Sequence, residues 1–167
     1  MKAALKALQA YNIKGAINEI APFGLGHIND SYLVETVDQK LLLQKLNQSV
    51  FKSPEKVESN LQALLQMDSA LFVKHYKTDE GLYHAEVDGG FWRLMDFVDD
   101  GYSPEIANNL IEVEKVAEGF GRFTAFVDTL RPENFKETIP QFHSLKWRLE
   151  QLEEAIEKDT AGRLESC

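Results

Sequence analysis

The periodicities along the 167 residues predict an α+β fold: a five-stranded antiparallel sheet with one packed helix, followed by a helical piece. Three observations carry this prediction. Residues 17–46 read as three short strands separated by a glycine-containing loop and a turn, with Ile28, Tyr32 and Val34 on one parity. Residues 82–98 repeat the pattern around Asp88-Gly89-Gly90, the composition of a tight hairpin turn. From Ser103-Pro104 onward the apolar residues fall at helical spacing instead.

Each element has its own signal. Residues 2–12 carry Leu5, Leu8 and Tyr11 at helical spacing and read as a short amphipathic helix that Gly15 ends. Three strands follow, over residues 17–22, 28–36 and 40–46, with a turn at Val37-Asp38-Gln39. On the third strand Leu41 and Leu43 share one face, and Leu42, Gln44 and Leu46 share the other. Ser53 is the expected N-cap of the next helix and Pro54 its first residue, with Val57, Leu61, Leu64 and Leu65 as its apolar stripe. The hairpin strands are expected at 82–87 and 91–98. A helix over 104–127 holds Ile106, Leu110, Val113, Val116, Phe120 and Phe123. A loop spans 130–141, and a last helix covers 142–158 with Leu145, Leu149, Leu152 and Ile156. The parting near 98–103 suggests two pieces, residues 1–98 and 99–167.

Composition narrows the function. Eighteen basic and 27 acidic residues give a net charge of −9. That argues against nucleic-acid binding, which needs a basic footprint, and against a basic membrane-surface helix. Residues 1–80 are neutral, with nine basic and nine acidic residues, so residues 81–167 hold the whole deficit. The one cysteine, Cys167, allows no internal disulfide. There is no signal-peptide run at Met1–Lys6 and no stretch of about 18 apolar residues, so a cytoplasmic protein is expected. The glycosylation triplets Asn29-Asp30-Ser31 and Asn47-Gln48-Ser49 read as chance matches in such a chain. His27, His75, His84 and His143 show no metal-ligand pairing, and no Cys/Ser-x-Pro-x-Arg sulfatase motif is present.

The strongest constellation is strand, Gly-x-Gly loop, strand, strand, helix. Gly24 and Gly26 let the backbone approach a ligand and aim its amides at a phosphate. The loop is neither a dinucleotide fingerprint nor a Walker loop, since it lacks the third glycine and the Gly-Lys-Ser/Thr run. Its surroundings follow the order of a kinase small lobe: glycine loop, a charged or polar residue on the third strand, a helix glutamate facing it, and a hinge after the fifth strand. Those places fall on Gln44, Glu58 and Met95-Asp96-Phe97-Val98, whose backbone groups at 96–98 would meet an adenine edge.

At these residues the chain resembles the N-acetylhexosamine 1-kinase group of the aminoglycoside phosphotransferase-like kinases, a branch some of whose members carry a mucin-desulfating label. The resemblance is carried by Phe23-Gly24-Leu25-Gly26-His27-Ile28-Asn29-Asp30-Ser31-Tyr32, Leu43-Gln44-Lys45-Leu46-Asn47, Val50-Phe51, Pro54, Glu58-Ser59-Asn60, Trp92-Arg93-Leu94-Met95 and Ile139-Pro140-Gln141-Phe142-His143. It runs from about residue 16 to the end and implies ATP- and Mg-dependent transfer of phosphate to a sugar hydroxyl. It further implies that Gly24, Gly26, His27, Asn29, Gln44, Glu58, Met95, Asp96 and Val98 line the nucleotide site. Gln44 departs from the wider kinase pattern, where a lysine holds the phosphates. Glutamine donates hydrogen bonds but brings no charge, and alternation turns Lys45 to the opposite face.

No His-x-Asp-x-x-x-x-Asn loop follows the hinge, since His143 is followed by Ser144-Leu145. The aspartate that positions the acceptor and the magnesium ligands are therefore expected outside these residues, and transfer is not expected of them alone. Asp96-Phe97-Val98-Asp99-Asp100 reads as hinge rather than as a metal-binding Asp-Phe-Gly. The alternative reading is a non-catalytic kinase-like module that binds nucleotide, or a partner protein through an exposed helical face. Apolar surface left uncovered by the shortened second piece would favour self-association.

Overall fold

The computed structural model describes residues 1–24, 26–67, 71–99, 101 and 106–164. Helix α1 (Lys2–Leu8) precedes β1 (Ile17–Pro22), β2 (Asp30–Thr36) and β3 (Lys40–Leu46). Helix α2 (Pro54–Leu65) follows, then β4 (Ala85–Val87) and β5 (Gly90–Asp96). Helices α3 (Leu110–Val127) and α4 (Leu145–Lys158) complete the chain, with a short 3-10 turn at Pro132–Asn134 between them. The strands form one antiparallel sheet in the order β1-β2-β3-β5-β4. The predicted α+β architecture is the observed one.

The turns explain the sheet. Thr36 Oγ1 donates to Gln39 O at 2.9 Å and accepts from the amides of Asp38 and Gln39, which folds β2 back onto β3. Val87 pairs with Gly90, and between them Asp88 (φ 51°) and Gly89 (φ 71°) both lie in the left-handed region. That is the type I′ geometry whose twist matches a two-residue hairpin, and Asp-Gly is a preferred pair for it.

One face of the sheet carries the core. Val34, Leu41, Leu43, Ala85, Trp92 and Leu94 are buried under α1, which contributes Ala4, Ala7 and Leu8, and under Tyr11. The Tyr11 hydroxyl donates to Trp92 O at 2.9 Å. This corrects the expected helix of residues 2–12. The helix ends at Leu8, and Leu5 is 42% exposed. The buried stripe runs through two alanines, whose small side chains let the helix sit close to the sheet but give a weak apolar signal.

Other boundaries also move. Strand β2 starts at Asp30 rather than 28, because Asn29 Oδ1 accepts the Asn47 amide at 3.0 Å and leaves Ile28 exposed. The first hairpin strand shrinks to three residues, since Tyr83 and His84 are drawn toward α2. Strand β5 ends at Asp96, not 98. Helix α3 starts at Leu110, not 104, and Ile106 lies outside it. Its N-cap is Asn109, which accepts from Glu112 N at 2.9 Å, while Glu112 accepts from Asn108 N at 2.7 Å. The reciprocal bonds resemble a capping box and fix the start. Helix α4 starts at Leu145 with Ser144 as its cap. The expected helix start at Ser103-Pro104, the loop residue Leu25, Asp100 and Cys167 lie outside the described residues.

Helices α3 and α4 bury none of their residues, and Phe120 is 69% exposed. Contacts among the described residues tie the segment to the first piece. Phe72 and Phe126 meet edge to face at 5.3 Å, and Asn60 exchanges two 2.8 Å hydrogen bonds with the backbone of Lys136. Among the described residues no helix is long and apolar enough to cross a membrane.

Candidate functional site

Of the expected site residues, Gln44 and Met95 lie on the sheet face opposite α1, whereas Asp96 shares the parity of Leu94 on the α1 face. Alternation and register place Ser31 (β2), Gln44 (β3) and Arg93 (β5) side by side across three strands. Phe23, just past β1, extends the row, because its amide donates to Ser31 O at 2.9 Å. Gln44 is therefore inward of the glycine loop. Lys45 points the other way, its ammonium 5.8 Å from the Trp92 ring on the α1 side, as alternation predicts.

Gln44 is held from two sides. Its Nε2 donates to Ser31 Oγ at 3.0 Å, and its Oε1 accepts from Arg93 Nε at 3.0 Å and from a terminal Arg93 nitrogen at 2.6 Å. A guanidinium thus stands next to the glutamine where a kinase would have its lysine. Burial lowers the Arg93 pKa from its ordinary value, but an arginine remains charged at neutral pH.

Glu58 does not face Gln44. It is buried in α2, and its Oε1 accepts from Tyr83 N at 3.0 Å and Gln62 Nε2 at 2.8 Å. Its Oε2 lies 3.2 Å from His84 Nδ1, a charge contact too poorly aligned to be a hydrogen bond. His84 stacks on Phe91 with ring centroids 3.8 Å apart. Glu58 therefore pins α2 to the segment leading into β4 and is no solvated surface carboxylate.

The glycine loop and the strand exit meet on this same face. The Phe23 and Phe97 rings pack edge to face at 5.0 Å. Gly24 sits at φ +80°, where an L side chain is strained, whereas a Cβ at Gly26 would meet only Asn29 O at 3.9 Å. His27 is exposed, and the Asn29 side chain braces the loop against the end of β3. In the expected hinge, Met95 is buried and Val98 exposed. The amides of Asp96 and Phe97 already donate to Lys74 O and Lys40 O, and the Asp96 carboxylate accepts from Tyr76 at 2.6 Å. His75 pairs with Met95 across the strand edge. Burial lowers its pKa, with Arg93 adding to the effect and Glu58 and Asp96 opposing it.

Arg93, His84 and Asn60 are the contributors that sequence reasoning gave no role. Arg93 shares its parity with Phe91 and Met95, but its place opposite Gln44 emerges only from the β3–β5 register.

No family model matches the chain. Among solved structures it is similar to an aminoglycoside phosphotransferase from Alicyclobacillus acidocaldarius, with TM-score 0.55 and 13% identity over 92% of this chain and 44% of that one. It is also similar to a spectinomycin phosphotransferase solved in complex with ADP and spectinomycin, with TM-score 0.48 and 12% identity over 99% of this chain and 57% of that one. The fold is the kinase-like one of the aminoglycoside phosphotransferases. The chain spans about half the length of these solved proteins.

Proposed function

We propose that the chain is the nucleotide-binding portion of an ATP-dependent phosphotransferase, which in complete form passes the γ-phosphate to a sugar hydroxyl. The acceptor implied by the sequence resemblance is an N-acetylhexosamine. Residues 1–98 form the nucleotide lobe and residues 99–167 begin the helical lobe. The observation that carries this reading is the Phe23–Phe97 contact, which brings the glycine loop and the expected hinge together on the sheet face that carries Ser31, Gln44 and Arg93. A nucleotide needs both at once, one for phosphates and one for the base.

In this reading Gly24 and Gly26 shape the phosphate loop, with His27 beside it and Asn29 bracing it. Gln44 lies behind the phosphates, Glu58 holds α2 in place, and Met95, Asp96 and Val98 border the base. The magnesium ligands that the resemblance implies are expected outside these residues. No transfer step is derived for these residues alone, and sugar-dependent ADP release by the purified 167-residue chain would contradict that.

The test is an ATP titration of the chain and of Gly26→Val. A Cβ at Gly26 would meet only Asn29 O at 3.9 Å, an ordinary contact, and urea unfolding of the variant checks that a lost signal reports blocked ligand approach rather than a lost fold. Binding lost in G26V supports the loop assignment. Equal binding in both proteins refutes it, and no ATP binding by the parent chain refutes the nucleotide reading. The exposed apolar residues of α3 and α4 favour a second reading, a non-catalytic module with a helical docking face.

A further inference from the structure

We propose that Arg93, oriented by Gln44, is the cation that binds the nucleotide's polyphosphate, taking over from a neighbouring strand the work of the missing third-strand lysine. The proposal rests on the nucleotide reading above and deepens it.

Four observations carry it. Arg93 lies directly opposite Gln44 in the β3–β5 register, in the row that begins at the glycine-loop residue Phe23. Its two bonds to Gln44 Oε1 use part of the five-donor fork and leave further N–H groups to meet an anion. No carboxylate forms an ion pair with it among the described residues. The nearby buried carboxylate, Glu58, is committed to Tyr83, Gln62 and His84.

The glutamine then has a reason. A half-buried guanidinium without a counter-ion is costly to hold in a fold, and an anionic ligand removes that cost. Lysine at position 44 would repel Arg93. Glutamine offers it an acceptor, while its own amide is anchored on Ser31 Oγ. The chain Ser31–Gln44–Arg93 thus aims a fixed charge along the row toward the loop. Gln44 is a positioning residue, and Arg93 is the phosphate contact.

The test measures binding of ATP, ADP and adenosine to the 167-residue chain, to Arg93→Met and to the double variant Gln44→Lys/Arg93→Met, with urea unfolding as the check on folding. R93Q runs alongside in case R93M does not fold. R93M is expected to weaken ATP and ADP by roughly 10- to 100-fold, the range for a lost charge-assisted hydrogen bond. Adenosine should be unchanged. Adding Q44K, which returns a cation to the third strand, should recover ATP binding. A purely structural role would not give that pattern. Unchanged ATP affinity in R93M, or an equal loss for adenosine, overturns the proposal while leaving the nucleotide reading standing. Failure of the parent chain to bind either ATP or adenosine overturns both.

Discussion

Glu58→Ala separates a structural carboxylate from a surface one. The side chain is 8% exposed, and one of its oxygens accepts two hydrogen bonds, from Tyr83 N at 3.0 Å and Gln62 Nε2 at 2.8 Å. Alanine leaves the Tyr83 amide unpaired in a partly buried setting, which costs about 1–3 kcal/mol. It also removes the His84 contact and opens a small void against α2, for a total near 2–4 kcal/mol. For a lobe of this size that is a fall of roughly 8–16 °C in Tm. Glu58→Gln keeps an acceptor oxygen for both donors, so it should lose less than about 1 kcal/mol. The assay is urea unfolding followed by Trp92, whose 2% exposure makes its fluorescence a core probe. An E58A midpoint indistinguishable from the parent would refute the argument and return Glu58 to the solvated helix face.

Two pH dependences follow from the half-buried rings of His75 and Tyr76. His75 is held below its ordinary pKa, chiefly by burial. The unfolded chain takes up that proton near pH 6.5 while the folded chain resists, so stability is present above that pH and falls as pH drops through the folded pKa. His75→Gln should flatten the decline in urea midpoint between about pH 7 and 5. A decline as steep as the parent's would count against a neutral buried His75. Tyr76 is pushed up to about 12 by burial and by its bond to Asp96. An unfolded tyrosine ionises near pH 10, so this stability is present below about 10 and lost as pH rises toward the folded value. Tyr76→Phe should remove part of that alkaline loss. The rest stays with Tyr11, which burial shifts the same way.

How much of this was legible in the sequence depended on how local the signal was. Strands β1 and β3 appear at their expected boundaries because alternation and short turns are local properties. The Asp88-Gly89 turn was legible for the same reason. Helix α1 was misread because its contact stripe is built on Ala4 and Ala7, which hydrophobic counting undervalues beside Leu5. Helix α3 was started too early because Ser103-Pro104 is a strong local cap, while the cap used is Asn109 with Glu112. The site was harder still. Alternation shows Lys45 turned away from Gln44, as the structure has it, yet Arg93 is invisible in the sequence as the partner of Gln44. Two side chains 49 positions apart become neighbours only once the order β3-β5 is known. For Glu58, helical spacing gives its side of α2 but not which of several polar groups it meets.

The charge distribution now reads differently. Division at residue 80 leaves a neutral first half and an acidic second half. Arg93 belongs to the acidic half by number, yet β5 carries it into the middle of the sheet. Division at the strand exit instead gives residues 1–98 ten basic and twelve acidic side chains, and residues 99–167 eight and fifteen. By that count the lobe should mildly repel a nucleotide. One of its acids, however, is paired with a cation, Asp88 with Lys6, and two others, Glu58 and Asp96, are held in hydrogen bonds away from the row. Exposed charges beyond about 8 Å are largely screened at physiological salt, whereas a half-buried guanidinium acts in a lower dielectric. The decisive quantity for phosphate is therefore the local field in the Ser31–Gln44–Arg93 row, not the −9 of the whole chain. It follows that neutralising acidic residues on α3 or α4, such as Glu118→Gln, should leave ATP affinity nearly unchanged, while R93M should not. Equal effects at the two sites would show that long-range charge governs binding and that the row has no special standing.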